Sequence, residues 1–77
     1  MKIEILGTGC PKCKKLYENT LSAIKMTGIS ADVEKIEDIA KIMSAGVMST
    51  PAIVVDGVVK SSGKLLSPED IATLIKG

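Results

Sequence analysis

Histidine, phenylalanine and tryptophan are absent from this 77-residue chain, and Tyr17 is its one aromatic residue. Without histidine there is no Cys–His nucleophile pair, no zinc site of the Cys/His kind and no imidazole acid–base chemistry. With no aromatic platform, stacking on single-stranded bases is excluded. Neither sign of charge is in excess, because ten basic residues nearly cancel nine acidic ones. No basic block exceeds the short cluster of Lys12, Lys14 and Lys15, so nucleic acid finds no electrostatic footprint. No apolar run approaches the roughly 18 residues of a membrane span, and no signal peptide is visible at the N-terminus. These absences point to a cytoplasmic protein that engages neither nucleic acid nor membrane. Its chemistry has to run on thiols, carboxylates, lysines or the backbone.

The length predicts a single small domain, 1–77, with an aliphatic core. "KIEIL", Lys2 to Leu6, alternates and is rich in isoleucine, which predicts a strand. From Pro11 the period turns helical: Cys13, Leu16, Tyr17, Thr20, Leu21 and Ile24 recur at helical intervals, and Gly28 supplies a stop. "SADVEKI" predicts a second strand, with Ala31, Val33 and Lys35 in its period-two pattern. "EDIAKIMSAG" predicts a second helix with an apolar stripe of Ile39, Ile42 and Met43, acidic residues in its first turn and Gly46 at its end. "PAIVV", Pro51 to Val55, reads as a central strand buried on both faces.

Asp56 and Gly57 predict a hairpin, "VVK" the returning strand, and Ser62 with Gly63 a loop. Ser67 as N-cap, Pro68 at the first helical position and Asp70 open a last helix that buries Ile71, Leu74 and Ile75. The order is β-α-β-α-β-β-α, with helical crossovers between the first three strands. It predicts an α/β fold, a four-stranded mixed sheet flanked by three helices. Glu4 is read as a solvated or edge charge, and Met43 and Met48 as gap-filling core near the cysteine loop.

The chain has two cysteines, both in "GTGCPKCKK". Cys10 stands where strand gives way to helix, and Cys13 is one turn further on. At that spacing the two lie on one helix face, within reach of a disulfide. Backbone N–H groups and the positive end of the helix dipole would stabilise a Cys10 thiolate. Pro11 suits the first helical position, and Gly7 and Gly9 leave the loop free to present Cys10 to a bulky disulfide. In a redox reading, Cys10 attacks a substrate disulfide and Cys13 displaces the product, leaving the pair oxidised. An inert structural pair is disfavoured, since so short a loop gains little from cross-linking. The remaining alternative is a thiolate metal-binding or metal-delivery module. Two thiolates leave zinc two ligands short, but copper(I) or a site shared in a dimer escapes that objection.

"GTGCPKC" is similar to the cysteine loop of small heavy-metal-binding domains, but those follow a βαββαβ order. Here a second helix precedes the hairpin, and element order decides against that resemblance. "CPKC" together with "STPAIVVDG" further along resembles the thioredoxin-like family in its small, glutaredoxin-sized form, over nearly the whole chain. The resemblance implies a thiol–disulfide oxidoreductase with Cys10 and Cys13 as its catalytic pair. It also implies a cis peptide between Thr50 and Pro51, a platform on which an extended substrate segment adds by backbone pairing. Pro11, Lys12, Thr50, Pro51 and Gly63 are the implied substrate contacts, Gly63 letting a substrate backbone approach. No bound metal or other cofactor is implied. The implied partners are disulfide-containing proteins and a reductase of the thioredoxin-reductase type, and the chain is expected to act as a monomer. It departs from the family in carrying Gly9 before the first cysteine, Lys12 between the pair, and "SSGK" where glutaredoxins have paired glycines.

Overall fold

Alternation in the first strand, β1 (Lys2–Leu6), divides the molecule into two layers. Ile3 and Ile5 point into one apolar cluster and Leu6 into another on the opposite face. The computed structural model describes residues 1–9, 11–47 and 49–76. Cys10, Met48 and Gly77 lie outside the described residues, and with Met48 goes its expected place in the core.

The order is β1, α1 (Pro11–Thr27), β2 (Asp32–Ile36), α2 (Ile39–Ser44), β3 (Ala52–Val55), β4 (Val58–Ser62) and α3 (Pro68–Lys76). These form the expected α/β fold, a mixed sheet in the spatial order β2-β1-β3-β4 with three helices. α1 and α3 supply Leu16, Ala23, Ile71, Ala72 and Ile75 to the cluster over Ile3, Ile5, Ile53 and Val55. On the other face Ile42 of α2 joins Val47 and the sheet residues Leu6, Ile36, Ala52 and Val54. β3 is buried along its whole length, as its unbroken β-branched run predicts. Among the described residues no helix is long and apolar enough to cross a membrane.

Local signals account for most boundaries. Gly28 follows α1 with φ +69°, the left-handed conformation common just past a helix C-terminus. The Asp56–Gly57 turn has φ of 49° and 84°, the paired positive values of a tight hairpin turn. The Ser67 hydroxyl accepts the Asp70 N–H at 3.2 Å to start α3.

Several expectations are corrected. β1 and β2 run parallel, but β3 runs antiparallel to β1, so the second connection is not a crossover. A six-residue helix rises only about 9 Å, too little to carry the chain back along a five-residue strand of roughly 16 Å. The stripe expected on α2 reduces to Ile42, since Ile39 is 62% exposed and Met43 71% exposed; Met43 is therefore not core. Asp38 caps this helix from outside, its Oδ1 accepting the Ala40 N–H, and no acid occupies the first turn. In α1 Leu21 faces solvent while Ala23 is buried. Glu4 is half-buried on an interior strand, not an edge. β4 extends through Ser62, further than "VVK" indicates.

The unequal burial has a measurable consequence. Ile71→Ala should lower the unfolding free energy by about 2–5 kcal/mol, and Ile39→Ala or Met43→Ala by no more than about 0.5 kcal/mol. Urea denaturation measures both, and comparable losses at the two kinds of position would contradict the solvent-facing assignment of α2.

Candidate active site

Register brings the chemistry-bearing segments to one edge of the sheet. Leu6 at the end of β1 pairs with Ile36 at the end of β2 and with Ala52 at the start of β3, and Ala52 pairs with Ser62 at the end of β4. The residues just beyond those ends, Gly7, Glu37, Pro51 and Gly63, therefore share one rim. α1 starts at the same rim with Pro11, and its first turn packs Cys13 against Gly7 at the end of β1.

Cys13 is in that first turn. It is 5% exposed and belongs to the buried stripe of α1 that continues through Leu16 and Thr20. Its sulfur is disulfide-bonded; Cys10 itself lies outside the described residues. The side chain fits only because Gly7 has none. A Cβ on Gly7 would collide with the Cys13 sulfur, approach its Cβ to 3.1 Å and stand 4.0 Å from the Pro51 Cα. Gly7 is itself fixed, its N–H donating to the Ile36 carbonyl at 3.0 Å.

Thr50–Pro51 is a cis peptide, as the resemblance implies. Pro51 is buried and Thr50 exposed, so the bond presents Thr50 outward at the rim. The Pro51 carbonyl accepts the Gly63 N–H at 2.9 Å. Gly63 has φ +72°, and a Cβ there would lie 2.9 Å from the Ser49 Cβ. Its lack of a side chain is thus required by packing within the chain. Pro11 and Lys12 lie exposed on the outer side of the first turn of α1.

Beside Cys13 a cavity of about 100 Å³ is lined by Ile5, Gly7, Gly9, Lys14, Lys35 and Glu37 as well as the cysteine. Gly9 has φ +87°, and its missing Cβ would stand 3.0 Å from Glu37 Oε2. The Lys35 ammonium lies 5.0 Å from the centroid of the Tyr17 ring. Sequence reasoning placed Lys35 only in a strand pattern, gave Glu37 no role and treated Gly7 as loop freedom. The signal that reveals all three is register, which shows that the ends of β1 and β2 meet.

Gly7→Ala should displace the Cys13 side chain and cost about 1–3 kcal/mol through overpacking. The readout is urea denaturation of the oxidised protein; stability equal to the parent would show that the sulfur does not occupy the space above Gly7.

Comparison with known proteins agrees with this geometry. The family described as "Thioredoxin domain" matches residues 1–76. A thioredoxin of Methanothermobacter thermautotrophicus is 41% identical over 75 residues, covering 97% of each chain. A thioredoxin of Methanocaldococcus jannaschii is 40% identical over 74 residues, covering 96% of this chain and 85% of the relative. A probable thioredoxin of Methanothermobacter marburgensis is 39% identical over 67 residues, covering 82% and 79% respectively. With the sheet order, the disulfide at Cys13 and the proline at the rim in accord, the chain belongs to the thioredoxin family and is a thiol–disulfide oxidoreductase.

Proposed function

We propose that this chain acts as a single domain, 1–77, and reduces or exchanges disulfides of other proteins through the Cys10–Pro11–Lys12–Cys13 dithiol. The observation that carries the reading is the burial of a disulfide-bonded Cys13 in the first turn of α1, against Gly7 and the buried Pro51. A sulfur so enclosed is poorly placed to meet a protein substrate but well placed to complete an exchange begun by its neighbour. Cys10 is accordingly the nucleophile and Cys13 the resolving thiol.

The cycle balances without a bound cofactor. Cys10 thiolate attacks one sulfur of the substrate disulfide; that S–S bond breaks, a mixed disulfide forms, and the released substrate sulfur takes up a proton. Cys13 then gives up its proton and attacks the Cys10 sulfur. The mixed disulfide breaks, the second substrate sulfur leaves as a thiol, and Cys10–Cys13 remains oxidised. Two electrons from a reductase of the thioredoxin-reductase type restore the dithiol.

Exposed Thr50 beside buried Pro51 supports the rim as the platform for an extended substrate segment. Exposed Pro11, Lys12 and Gly63 flank it. The protein works as a cytoplasmic monomer.

Equilibration in graded dithiothreitol buffers, followed by alkylation and mass measurement, tests this reading. The two cysteines should gain two alkyl groups together in one reversible two-electron transition. Cys13→Ser should accumulate a mixed disulfide on Cys10, and Cys10→Ser should lose turnover of a protein disulfide to the uncatalysed rate. Alkylation that appears only after a chelator removes an ion would replace the redox reading with the metal module.

A further inference from the structure

A second cavity shares no residue with the one beside Cys13 and lies between β4, the last strand of the sheet, and α3. It holds about 330 Å³, against about 100 Å³ beside Cys13. That volume falls among small-molecule sites, which run from about 300 to 1,000 Å³. β4 supplies Lys60 and Ser61, the loop after it Lys64 and Leu66, and α3 Asp70, Thr73 and Leu74. Disulfide exchange uses none of these side chains.

An irregularity builds the strand wall. Ile53 pairs with Ser61 and Val54 with Val59, so Lys60 is the extra residue of a bulge. Successive residues of a regular strand point to opposite faces, yet Lys60 and Ser61 both line the cleft. The bulge accounts for this, because an extra residue re-aims the side chains around it. A bulge and a lysine on the free edge of the sheet also discourage a further strand from pairing with β4. The cleft therefore suits a compact occupant and not an added strand.

Its walls are held before anything binds. The Asn19 side-chain amide donates to the Leu66 carbonyl at 2.9 Å, the Gly63 N–H fixes the end of β4 on the Pro51 carbonyl, and Ser67 caps α3. Leu66 and Leu74 pack partly buried against the main core and give the cleft its apolar lining. Its polar groups are divided by side. The β4 side, with Lys64, offers two ammonium groups and the Ser61 hydroxyl. The α3 side offers acceptors: the Asp70 carboxylate, and the Thr73 oxygen, whose own hydrogen goes to the Glu69 carbonyl at 3.1 Å. Among the described residues the one ion pair is Lys2–Glu34, so neither lysine is engaged by Asp70.

We infer that the cleft between β4 and α3 binds a small zwitterion with an apolar body, its carboxylate toward Lys60, Lys64 and Ser61 and its ammonium toward Asp70 and Thr73. Leu66 and Leu74 take the chain between the two charges. A plain anion leaves the α3 side unmatched, and a plain cation meets two lysines for one acid. Both lysines and Asp70 are exposed, so each charge contributes modestly and salt weakens binding. The site is independent of the thiols and of their redox state.

The probe is ε-aminocaproate, which carries both charges on a flexible apolar chain, with caproate and hexylamine as its single-charge counterparts. Titrated into the isotope-labelled full chain, it should give saturable amide shifts centred on the cleft, and each counterpart should bind about two- to fivefold more weakly. Lys60→Met, Lys64→Met and Asp70→Asn should each weaken the probe about two- to fivefold, their free spectra showing that they fold. Asp70→Asn should also remove the advantage over caproate. Lys76→Met, which takes a lysine from α3 outside the cleft, should bind the probe as the parent does. That order of affinities, with shifts confined to the cleft, supports the inference. It is overturned by the absence of saturable shifts, by shifts centred elsewhere, by caproate binding as tightly as the probe, or by equal losses in Lys60→Met and Lys76→Met. Each of these outcomes leaves the redox reading standing.

Discussion

The contact between Cys13 and the backbone at Gly7 is the constraint on which the rest of the site depends. A sulfur in the first turn of α1 has to lie somewhere, and the buried stripe of that helix directs it at the end of β1. There the chain offers a glycine whose N–H is already committed to the Ile36 carbonyl. The backbone can therefore neither retreat from the sulfur nor rotate away from it. The Pro51 Cα stands 4.0 Å from where a Gly7 Cβ would be. A loop glycine, a cysteine six residues on and a proline far along the chain thus meet at one place.

That convergence follows from the shortness of α2. A longer helix would complete a second crossover and begin β3 at the opposite end of the sheet. With six residues, of which Ile42 alone is buried, the segment only turns the chain over the rim. β3 then starts where β1 and β2 end. The antiparallel return is what places Pro51 beside Gly7, and the hairpin that follows brings Gly63 back to bond its carbonyl. The exposed Ile39 and Met43 show that α2 is sized for this connection more than for core volume.

Much of this was legible in the residues, because much of it is local. The strand alternation of β1, the helix opened by Pro11, the Asp56–Gly57 turn and the cap at Ser67 each follow from a few neighbouring side chains. The family resemblance, carried by "CPKC" and "STP", pointed to the rim and to the cis bond at Thr50–Pro51. What was not legible is relational. The direction of β3 depends on whether a short helix spans a strand, which periodicity does not report. The outer face of α2 reads as apolar because Ile39 and Met43 fall at helical spacing, yet so short a helix has one residue's width of sheet to cover. Gly63, expected to let an incoming backbone approach, also meets Ser49 of its own chain, whose Cβ lies 2.9 Å from where a Gly63 Cβ would stand, a contact that no motif announces. Glu37 and Lys35 carry no motif at all, and only the parallel register of β1 with β2 brings them to the cysteine.

The site therefore separates into parts under different physical control. Gly7, Cys13 and Pro51 are buried, and their positions are set by close packing, where an added methyl group forces displacement. Lys14, Lys35 and Glu37 are exposed at the cavity that Cys13 also lines, and replacing them disturbs little of the core. Changes at exposed positions away from caps and networks alter stability only slightly, yet a charge near a sulfur acts on its ionisation directly. Geometry and reactivity can thus vary independently in this chain. The buried set fixes where the Cys13 sulfur sits, and so whether an exchange between the two cysteines is possible.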